Sequence, residues 1–235
     1  MFIPEIKVFP TPADIAEEAA RRVIDVAQST ERFSFVLAGG STPKALYELL
    51  ATESYRDQID WSRCRVYFGD ERCVPPDHAD SNFRMAKLAL LSKVPIPGDN
   101  IYRIRGEINP NDAAIEYGKL LKEHFDNGGP DLVLLGMGDD GHTASLFPGT
   151  EALKETHHRC VANYVEKFKA WRVTLSAPFI NRAENVIILA AGAGKAARLQ
   201  EVLEGPQDPE RLPIQLIRPA SGKLTWLLDS AAAAM

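Results

Sequence analysis

The stretch DLVLLGMGDDGHTASLFPG (residues 131–149) joins an apolar strand to a loop that holds glycines, aspartates and one histidine. Its first six residues form the most continuous apolar run of the predicted strands, as is typical of a strand buried on both faces of a parallel sheet. Further apolar runs alternate with helical patterns along the chain, which predicts an α/β fold with a mainly parallel sheet. No repeat or linker interrupts this pattern, so we expect a single domain over residues 1–235.

The other predicted elements extend from this stretch in both directions. A helix is expected after Thr11, because Thr11 is a good N-cap, Pro12 suits the first turn and Asp14 completes a capping box. A second helix is expected at residues 111–125, and shorter helices follow most strands. Strands are predicted at residues 33–38, 64–69, 131–136, 172–176, 185–192 and 223–229.

The composition limits the classes of partner. The formal net charge is −5, so the chain has no general attraction for nucleic acid or anionic membranes. The N-terminus lacks a basic region followed by an apolar region, and no apolar run is long enough to span a bilayer. The three cysteines show no C-x-x-C pair or zinc-type spacing. We therefore expect a cytoplasmic protein with no metal site and no nucleic-acid or membrane partner.

Ligands of open parallel sheets bind beyond the carboxyl ends of the strands, so the loops that follow the strands are the first candidates for a binding site. In GGSTP (39–43), Gly39 and Gly40 allow a tight turn, Ser41 and Thr42 supply hydroxyls, and a helix start favours an anion. This segment is equally consistent with a phosphate cradle and with a plain capped turn. Ser41 is not expected to be a nucleophile, because the G-x-S-x-G elbow requires glycine where this chain has proline.

Two further loops carry charged residues. GDER (69–72) places Asp70 and Arg72 after a strand, where they could position a substrate, although a solvated and internally paired loop is favoured on this segment alone. AGAGK (191–195) places Lys195 at a helix start. It is not a nucleotide P-loop, because the motif requires glycine at position 189 and serine or threonine at position 196. A single cation beside helix N–H groups suits one phosphate, and an exposed lysine is the alternative.

The segment GMGDDGH (136–142) matches the dinucleotide motif G-x-G-x-x-G, but two features oppose that interpretation. Asp139 and Asp140 would place two carboxylates against a pyrophosphate, and no acidic residue for a ribose follows at the expected distance. A proton-transfer site fits better, because an unperturbed histidine titrates near neutral pH. His142 is therefore a candidate general base, and Asp140 is the natural partner to fix its tautomer.

Taken together, the segments VLAGGSTP, GDERCVPPDHADSN, GMGDDGHTASLFPG, RVTLS and AGAGK resemble the 6-phosphogluconolactonase family of the pentose phosphate pathway. The resemblance covers nearly the whole sequence. It implies a Rossmann-like three-layer αβα fold with a mainly parallel sheet, as in glucosamine-6-phosphate deaminase and ribose-5-phosphate isomerase. It also implies hydrolysis of 6-phospho-D-glucono-1,5-lactone to 6-phospho-D-gluconate without a cofactor. The expected partner is the phosphosugar lactone, and the expected assembly is a monomer or a small homo-oligomer.

The resemblance also implies roles for ten residues. His142 matches the family's general base, and Asp140 matches an acidic position beside it. Arg72 and Lys195 match cations that contact the phosphorylated sugar acid, and Arg172 is assigned a phosphate contact. The remaining positions match the phosphate-side loop and an acidic residue of the pocket: Gly39, Gly40, Ser41, Thr42 and Asp70. The family commonly has prolines just before RVT, where this chain has YVEKFKAW (164–171).

Two competing functions were weighed. A sugar-phosphate isomerase or amino-sugar-phosphate deaminase also needs a loop with histidine and aspartate, but the deaminases have a catalytic glutamate soon after the histidine. This chain has no acidic residue after His142 until Glu151. A non-catalytic phosphosugar sensor would be expected to carry a basic DNA-binding segment, and no helix-turn-helix unit fits either end. The lactonase interpretation is therefore preferred.

Overall fold

A six-stranded sheet, parallel throughout, forms the centre of the computed structural model, which describes residues 3–234. Residues 1, 2 and 235 of the predicted 1–235 domain lie outside the described residues. The sheet order is β1-β9-β8-β5-β2-β3. The strands of the described chain are β1 (Glu5–Phe9), β2 (Phe33–Leu37), β3 (Cys64–Phe68), β4 (Asp70–Arg72), β5 (Leu132–Gly136), β6 (Cys160–Val165), β7 (Ala170–Leu175), β8 (Asn185–Ala190) and β9 (Lys223–Asp229).

Helices flank this sheet, and the predicted α/β fold with a mainly parallel sheet is confirmed. Helix α1 packs on β9 and α2 packs on β5 of this sheet, whereas α5 packs on β6 and β7. No described helix has the length and apolar character needed to cross a membrane. The helices are α1 (Pro12–Ser29), α2 (Ser41–Leu50), α3 (Glu53–Arg56), α4 (Asn82–Ala86), α5 (Pro110–His124), α6 (Ala177–Ile180) and α7 (Ala196–Glu204), and a π-helical turn, Lys87–Leu91, extends α4.

The sequence forms these elements for local reasons. In α1 the Thr11 side chain accepts a hydrogen bond from the backbone of Asp14, and the Asp14 carboxylate accepts one from the backbone of Thr11. This capping box was predicted, and it satisfies two N–H groups that the helix itself cannot pair. All five residues of β2 and the first four of β5 are buried. Their continuous apolar sequence follows from burial on both faces.

A second, three-stranded antiparallel sheet corrects one prediction and contains another predicted strand. Its order is β4-β7-β6. Residues 70–72, expected to lie in a loop, form the short strand β4, which pairs with β7. The predicted strand 172–176 corresponds to β7 and belongs to this sheet rather than to the parallel one. Three residues are too few to show a strand period, so β4 could not be distinguished from a loop in the sequence.

Two further strands, β1 and β6, were not predicted. Each lies at the edge of its sheet, and each is only partly buried. Edge strands lack the continuous apolar run that marks a central strand, which explains why the pattern did not show them.

The sheet order determines where a ligand can bind. Strands β8, β5, β2 and β3 are consecutive neighbours and run in the same direction, so their carboxyl ends meet at one edge. The loops that leave this edge are the four chemically unusual loops of the sequence: residues 39–43, 69–72, 136–142 and 191–195.

Candidate active site

A cavity of about 260 Å³ lies at this edge of the sheet, and residues of all four loops line it. Its lining combines residues of the glycine-rich segments with charged side chains. Eight of the ten predicted site residues line the cavity: Gly39, Gly40, Ser41, Thr42, Asp70, Arg72, His142 and Lys195. Asp140 lies behind His142, and Arg172 lies outside the cavity lining.

His142 and Asp140 form a hydrogen-bonded pair. Nδ1 of His142 lies 2.5 Å from Oδ1 of Asp140, and the backbone N–H of His142 donates to the same oxygen at 3.3 Å. A carboxylate only accepts hydrogen bonds, so Nδ1 carries the proton of this bond, and Nε2 is the nitrogen with the lone pair in the neutral imidazole. The hydrogen bond from His142, assisted by one from Lys167, holds the pKa of the Asp140 carboxyl well below its usual range. Asp140 therefore stays ionised beside the imidazole.

The loop after β5 leaves little freedom for the His142 ring. Gly138 lies so close to the ring that an added Cβ would be 2.0 Å from Nδ1. Gly141 has φ +83°, a left-handed conformation that glycine adopts without strain. The His142 ring also stacks on Phe147, with centroids 4.0 Å apart and planes 23° apart. These contacts fix the ring before any substrate is present.

The loop after β2 forms the end of the cavity suited to an anion. Helix α2 begins at Ser41, and Gly40 before it has φ +102°. The first N–H groups of a helix have no partner within the helix, and they favour a negative charge. Gly39 lies against Asn82, because an added Cβ would be 2.1 Å from Oδ1 of that side chain. The segment thus combines free N–H groups, two hydroxyls and a close backbone approach.

The three predicted cations have different surroundings. Arg72 lines the cavity and donates to the backbone oxygen of Asp80 at 2.6 Å. Lys195 lines the cavity and forms an ion pair with Asp139, which is 78% exposed. Arg172 faces Arg72 across the β4–β7 ladder. Arg172 therefore lies near the cavity, but its predicted phosphate contact is a separate question.

The Arg172 guanidinium has protein partners of its own. It donates to the backbone oxygen of Trp171 at 3.1 Å, and its Cζ lies 5.6 Å from the Phe168 ring centroid. Burial, and then repulsion from Arg72, lower the pKa of Arg172 from its usual value. A phosphate contact by Arg172 therefore remains a prediction that would require its side chain to turn toward the cavity.

Asp70 and its neighbour Glu71 are buried and accept hydrogen bonds from other segments of the cavity wall. Asp70 accepts hydrogen bonds from Ser145 at 2.6 Å and Asn82 at 3.1 Å. Glu71 accepts bonds from the backbone N–H groups of Asn82 and Phe83, at 2.7 and 2.8 Å. Burial raises the pKa of Glu71 from its ordinary value. These bonds connect β4, the start of α4 and the loop after β5, and so hold three sides of the cavity together.

The sequence reasoning missed three residues of this region. Asn82 lines the cavity and is 4% exposed, Ser145 carries the bond to Asp70, and Lys167 bonds the second oxygen of Asp140 at 2.8 Å. Asn82 and Ser145 lie in two of the segments that carry the resemblance, GDERCVPPDHADSN and GMGDDGHTASLFPG, and this membership was the usable signal. Lys167 lies in the turn between β6 and β7 of the antiparallel sheet, and nothing near it in the sequence pointed to Asp140.

Within residues 3–234, no three His, Cys, Asp or Glu side chains converge in the way that a metal ion requires. Several groups at the cavity can act on a bound molecule. These are an oriented imidazole, a partnered carboxylate, two cations and the N-terminus of a helix.

Comparison with known proteins identifies relatives over most of the chain. The family model described as glucosamine-6-phosphate isomerases/6-phosphogluconolactonase matches residues 10–226. A protein named 6-phosphogluconolactonase from a Nostoc species is 44% identical over 210 residues, covering 86% of this chain and 84% of the relative. The rat protein of the same name is 38% identical over 239 residues, covering 97% and 92%.

Solved structures show the same similarity. The structure of 6-phosphogluconolactonase from Trypanosoma brucei matches with a TM-score of 0.88 at 33% identity, covering 100% of this chain and 99% of that chain. A monomeric glucosamine-6-phosphate deaminase matches with a TM-score of 0.86 at 20% identity, covering 98% and 99%. The second match is similar in fold alone.

Proposed function

This chain belongs to the family of glucosamine-6-phosphate isomerases and 6-phosphogluconolactonases, and from that premise we propose that it hydrolyses 6-phospho-D-glucono-1,5-lactone to 6-phospho-D-gluconate. The observation that carries the proposal is the 2.5 Å contact between His142 and Asp140 at the wall of a cavity that also holds an anion-binding helix start. A base and an anion site in one cavity suit a substrate with an ester at one end and a phosphate at the other.

The phosphate is proposed to bind where helix α2 begins. The N–H groups and hydroxyls of Ser41 and Thr42 would donate to its oxygens, and Lys195 would supply a positive charge. Binding at this end would hold the lactone carbonyl near His142, so that part of the barrier is removed by positioning.

His142 is proposed to act as general base through Nε2. It would take a proton from water while the water oxygen forms a bond to C1 of the lactone. Asp140 would stabilise the resulting imidazolium without accepting its proton. When the bond between C1 and the ring oxygen breaks, the imidazolium would return the proton to that oxygen. General base catalysis of this kind typically contributes about 10²- to 10⁴-fold.

The developing negative charge on the carbonyl oxygen needs a donor. Arg72 is the proposed donor, because it is the second cation that lines the cavity, beside the Lys195 assigned to the phosphate. A charged group aimed at an oxyanion in a site shielded from water is worth several kcal/mol.

The deaminase alternative requires an acidic residue close to the histidine. Glu151, the first acidic residue after His142, is 86% exposed and bonds Lys154 at 2.8 Å. It does not line the cavity, whereas a carboxylate that relays protons on a bound sugar must reach the substrate. This observation favours hydrolysis over an isomerising deaminase.

The proposal is tested by comparing two lactones at mildly acidic pH, where spontaneous opening is slow. Acid release in a pH-stat should be rapid with 6-phosphoglucono-1,5-lactone, and kcat/KM should be about 100-fold lower with the unphosphorylated lactone. Equal kcat/KM values for the two substrates would contradict the proposed phosphate site. Failure to accelerate either reaction, together with ammonia release from glucosamine 6-phosphate, would replace the lactonase proposal with the deaminase.

A further inference from the structure

The turn between β6 and β7 reaches back to the catalytic pair from a different sheet. Residues Glu166–Phe168 form a short 3-10 turn, which closes at Lys169 with φ +48°. This turn places Nζ of Lys167 at 2.8 Å from Oδ2 of Asp140. Lys167 has no part in the reaction as described above, although it contacts the carboxylate that orients the base.

The Asp140 carboxylate is bonded at both oxygens. Oδ1 faces Nδ1 of His142 and Oδ2 faces Nζ of Lys167. With one partner on each oxygen, the carboxylate cannot rotate about its terminal bond without losing both contacts. Since Asp140 is only two residues from His142 in a glycine-rich loop, a partner from outside the loop adds a constraint that the loop lacks.

An exposed ion pair that involves a lysine usually contributes little to stability, because the flexible lysine side chain loses entropy when it is held in one conformation. The Lys167 side chain is 59% exposed, but its position is supported by Phe168. Nζ of Lys167 lies 5.5 Å from the Phe168 ring centroid. The Phe168 ring in turn meets the Phe147 ring edge to face at 5.6 Å, and Phe147 is the ring on which His142 stacks. The turn therefore contacts Asp140 directly and His142 through Phe147.

We propose that Lys167 is a positioning residue that holds the Asp140 carboxylate against His142 and keeps the imidazole in its neutral, base-competent form at lower pH. This inference rests on the proposed function, because it assigns Lys167 a role through the base of that reaction. Lys167 does not line the cavity and is not expected to touch the substrate.

The sign of the electrostatic effect follows from the charges around the imidazole. Asp140 favours a proton on His142, and the positive charge of Lys167 opposes it. The other charged groups of the cavity are Arg72, Lys195 and Asp70, and Lys195 is paired with Asp139. Replacing Lys167 with a neutral residue removes one positive charge, whereas Oδ1 of Asp140 keeps its bonds to Nδ1 and to the backbone N–H of His142 and so stays beside the ring. The protonated imidazole then becomes more stable, so activity should be lost at a higher pH.

The test compares Lys167→Gln, Lys167→Arg and the control Lys119→Gln. Lys119 is an exposed residue of α5, and its replacement makes the same change in net charge away from the site. For Lys167→Gln we expect a several-fold lower kcat, little change in KM, and an acid limb of the kcat profile moved up by roughly half a pH unit. Lys167→Arg should restore the wild-type profile, and Lys119→Gln should match the wild type.

A structural role alone would lower the amount of folded enzyme and leave the acid limb in place. A Lys167→Gln profile identical to that of the wild type, in an enzyme that depends on His142, would overturn the positioning role while leaving the proposed function intact. The NMR titration of the His142 imidazole provides a readout that needs no substrate. Its midpoint should rise in Lys167→Gln and not in Lys119→Gln, and an unchanged midpoint would overturn the inference whatever the activity.

Discussion

Nδ1 of His142 lies 2.5 Å from Oδ1 of Asp140, and this contact decides which nitrogen of the imidazole can act on a substrate. Because the carboxylate accepts the Nδ1 proton, Nε2 is the basic atom. The same contact stabilises positive charge on the ring when Nε2 takes up a proton. The account depends on this pair more than on any other in the molecule.

Replacing Asp140 tests the pair from the carboxylate side. Asp140→Asn removes the negative charge, and its amide can donate to Nδ1 and so favour the wrong tautomer. We expect kcat to fall by about 10²-fold or more with KM changed by less than a few-fold, measured by lactone hydrolysis. Retention of more than a third of the wild-type kcat would show that the carboxylate has no part in the reaction.

Gly138 offers a steric test of the position of the ring. In Gly138→Ala the new methyl group would overlap Nδ1 of His142, so the ring must move and its bond to Asp140 must break. We expect a loss of kcat of about 10²-fold, with a melting temperature near that of the wild type. Gly118→Ala is the matched control, because an added Cβ at Gly118 has no atom within 4 Å. Equal activity of the two variants would contradict the placement of the imidazole.

Lys195 is predicted to bind the substrate through the phosphate. Lys195→Met should raise KM for the phosphorylated lactone by roughly 10-fold or more and leave kcat nearly unchanged, because a contact made equally in ground and transition states affects KM alone. The unphosphorylated lactone should respond much less to the same change. Lys154→Met, at an exposed lysine outside the cavity, serves as the control. A fall in kcat without a rise in KM would instead place Lys195 at the oxyanion.

The pair Arg103–Glu107 gives a prediction about stability and pH. Arg103 bonds both carboxylate oxygens of Glu107, at 2.7 and 2.8 Å, and these bonds lower the pKa of Glu107 to about 2. A lowered carboxyl pKa stabilises the folded chain above the unfolded value of about 4.3, and this contribution is lost as the pH falls toward 2.

Arg103→Gln should therefore lower the free energy of unfolding by about 1 kcal/mol at pH 7, a value reduced for the partial exposure of both side chains. Urea unfolding at pH 7 and at pH 2.5 measures the difference. The effect of the substitution should shrink at the lower pH. A difference of equal size at both values would show that the ion pair is not its cause.

The parallel sheet and its ligand-binding edge could be predicted because the signals are local. The buried strand β5 is a continuous apolar run, β2 and β9 are mostly apolar, and the observed β9, Lys223–Asp229, has the predicted bounds. The edge strands β1 and β6 could not be predicted, since half-exposed segments lack such a run. The assignment of β4 to a loop was wrong, because only its partner β7 makes it a strand.

In the candidate site, too, the features with a local sequence signal could be predicted and the long-range contacts could not. His142, Asp140 and the loop around Gly40 were predicted from residues that are neighbours in sequence. The bond between Lys167 and Asp140 joins residues that are 27 positions apart and belong to different parts of the fold. A second long-range contact joins Nδ1 of His124 to the Tyr67 hydroxyl at 2.8 Å, where the His124 ring packs against the rings of Tyr67 and Tyr102. Contacts of this kind depend on the tertiary fold.

The most direct test of the central claim is the rate of 6-phosphoglucono-1,5-lactone hydrolysis by the wild-type protein and by His142→Asn. The variant should fold normally by circular dichroism, bind the substrate with a KM within a few-fold of the wild type, and lose about 10²-fold or more in kcat. A folded His142→Asn protein that hydrolyses the lactone at the wild-type rate would contradict the assignment of His142 as the base.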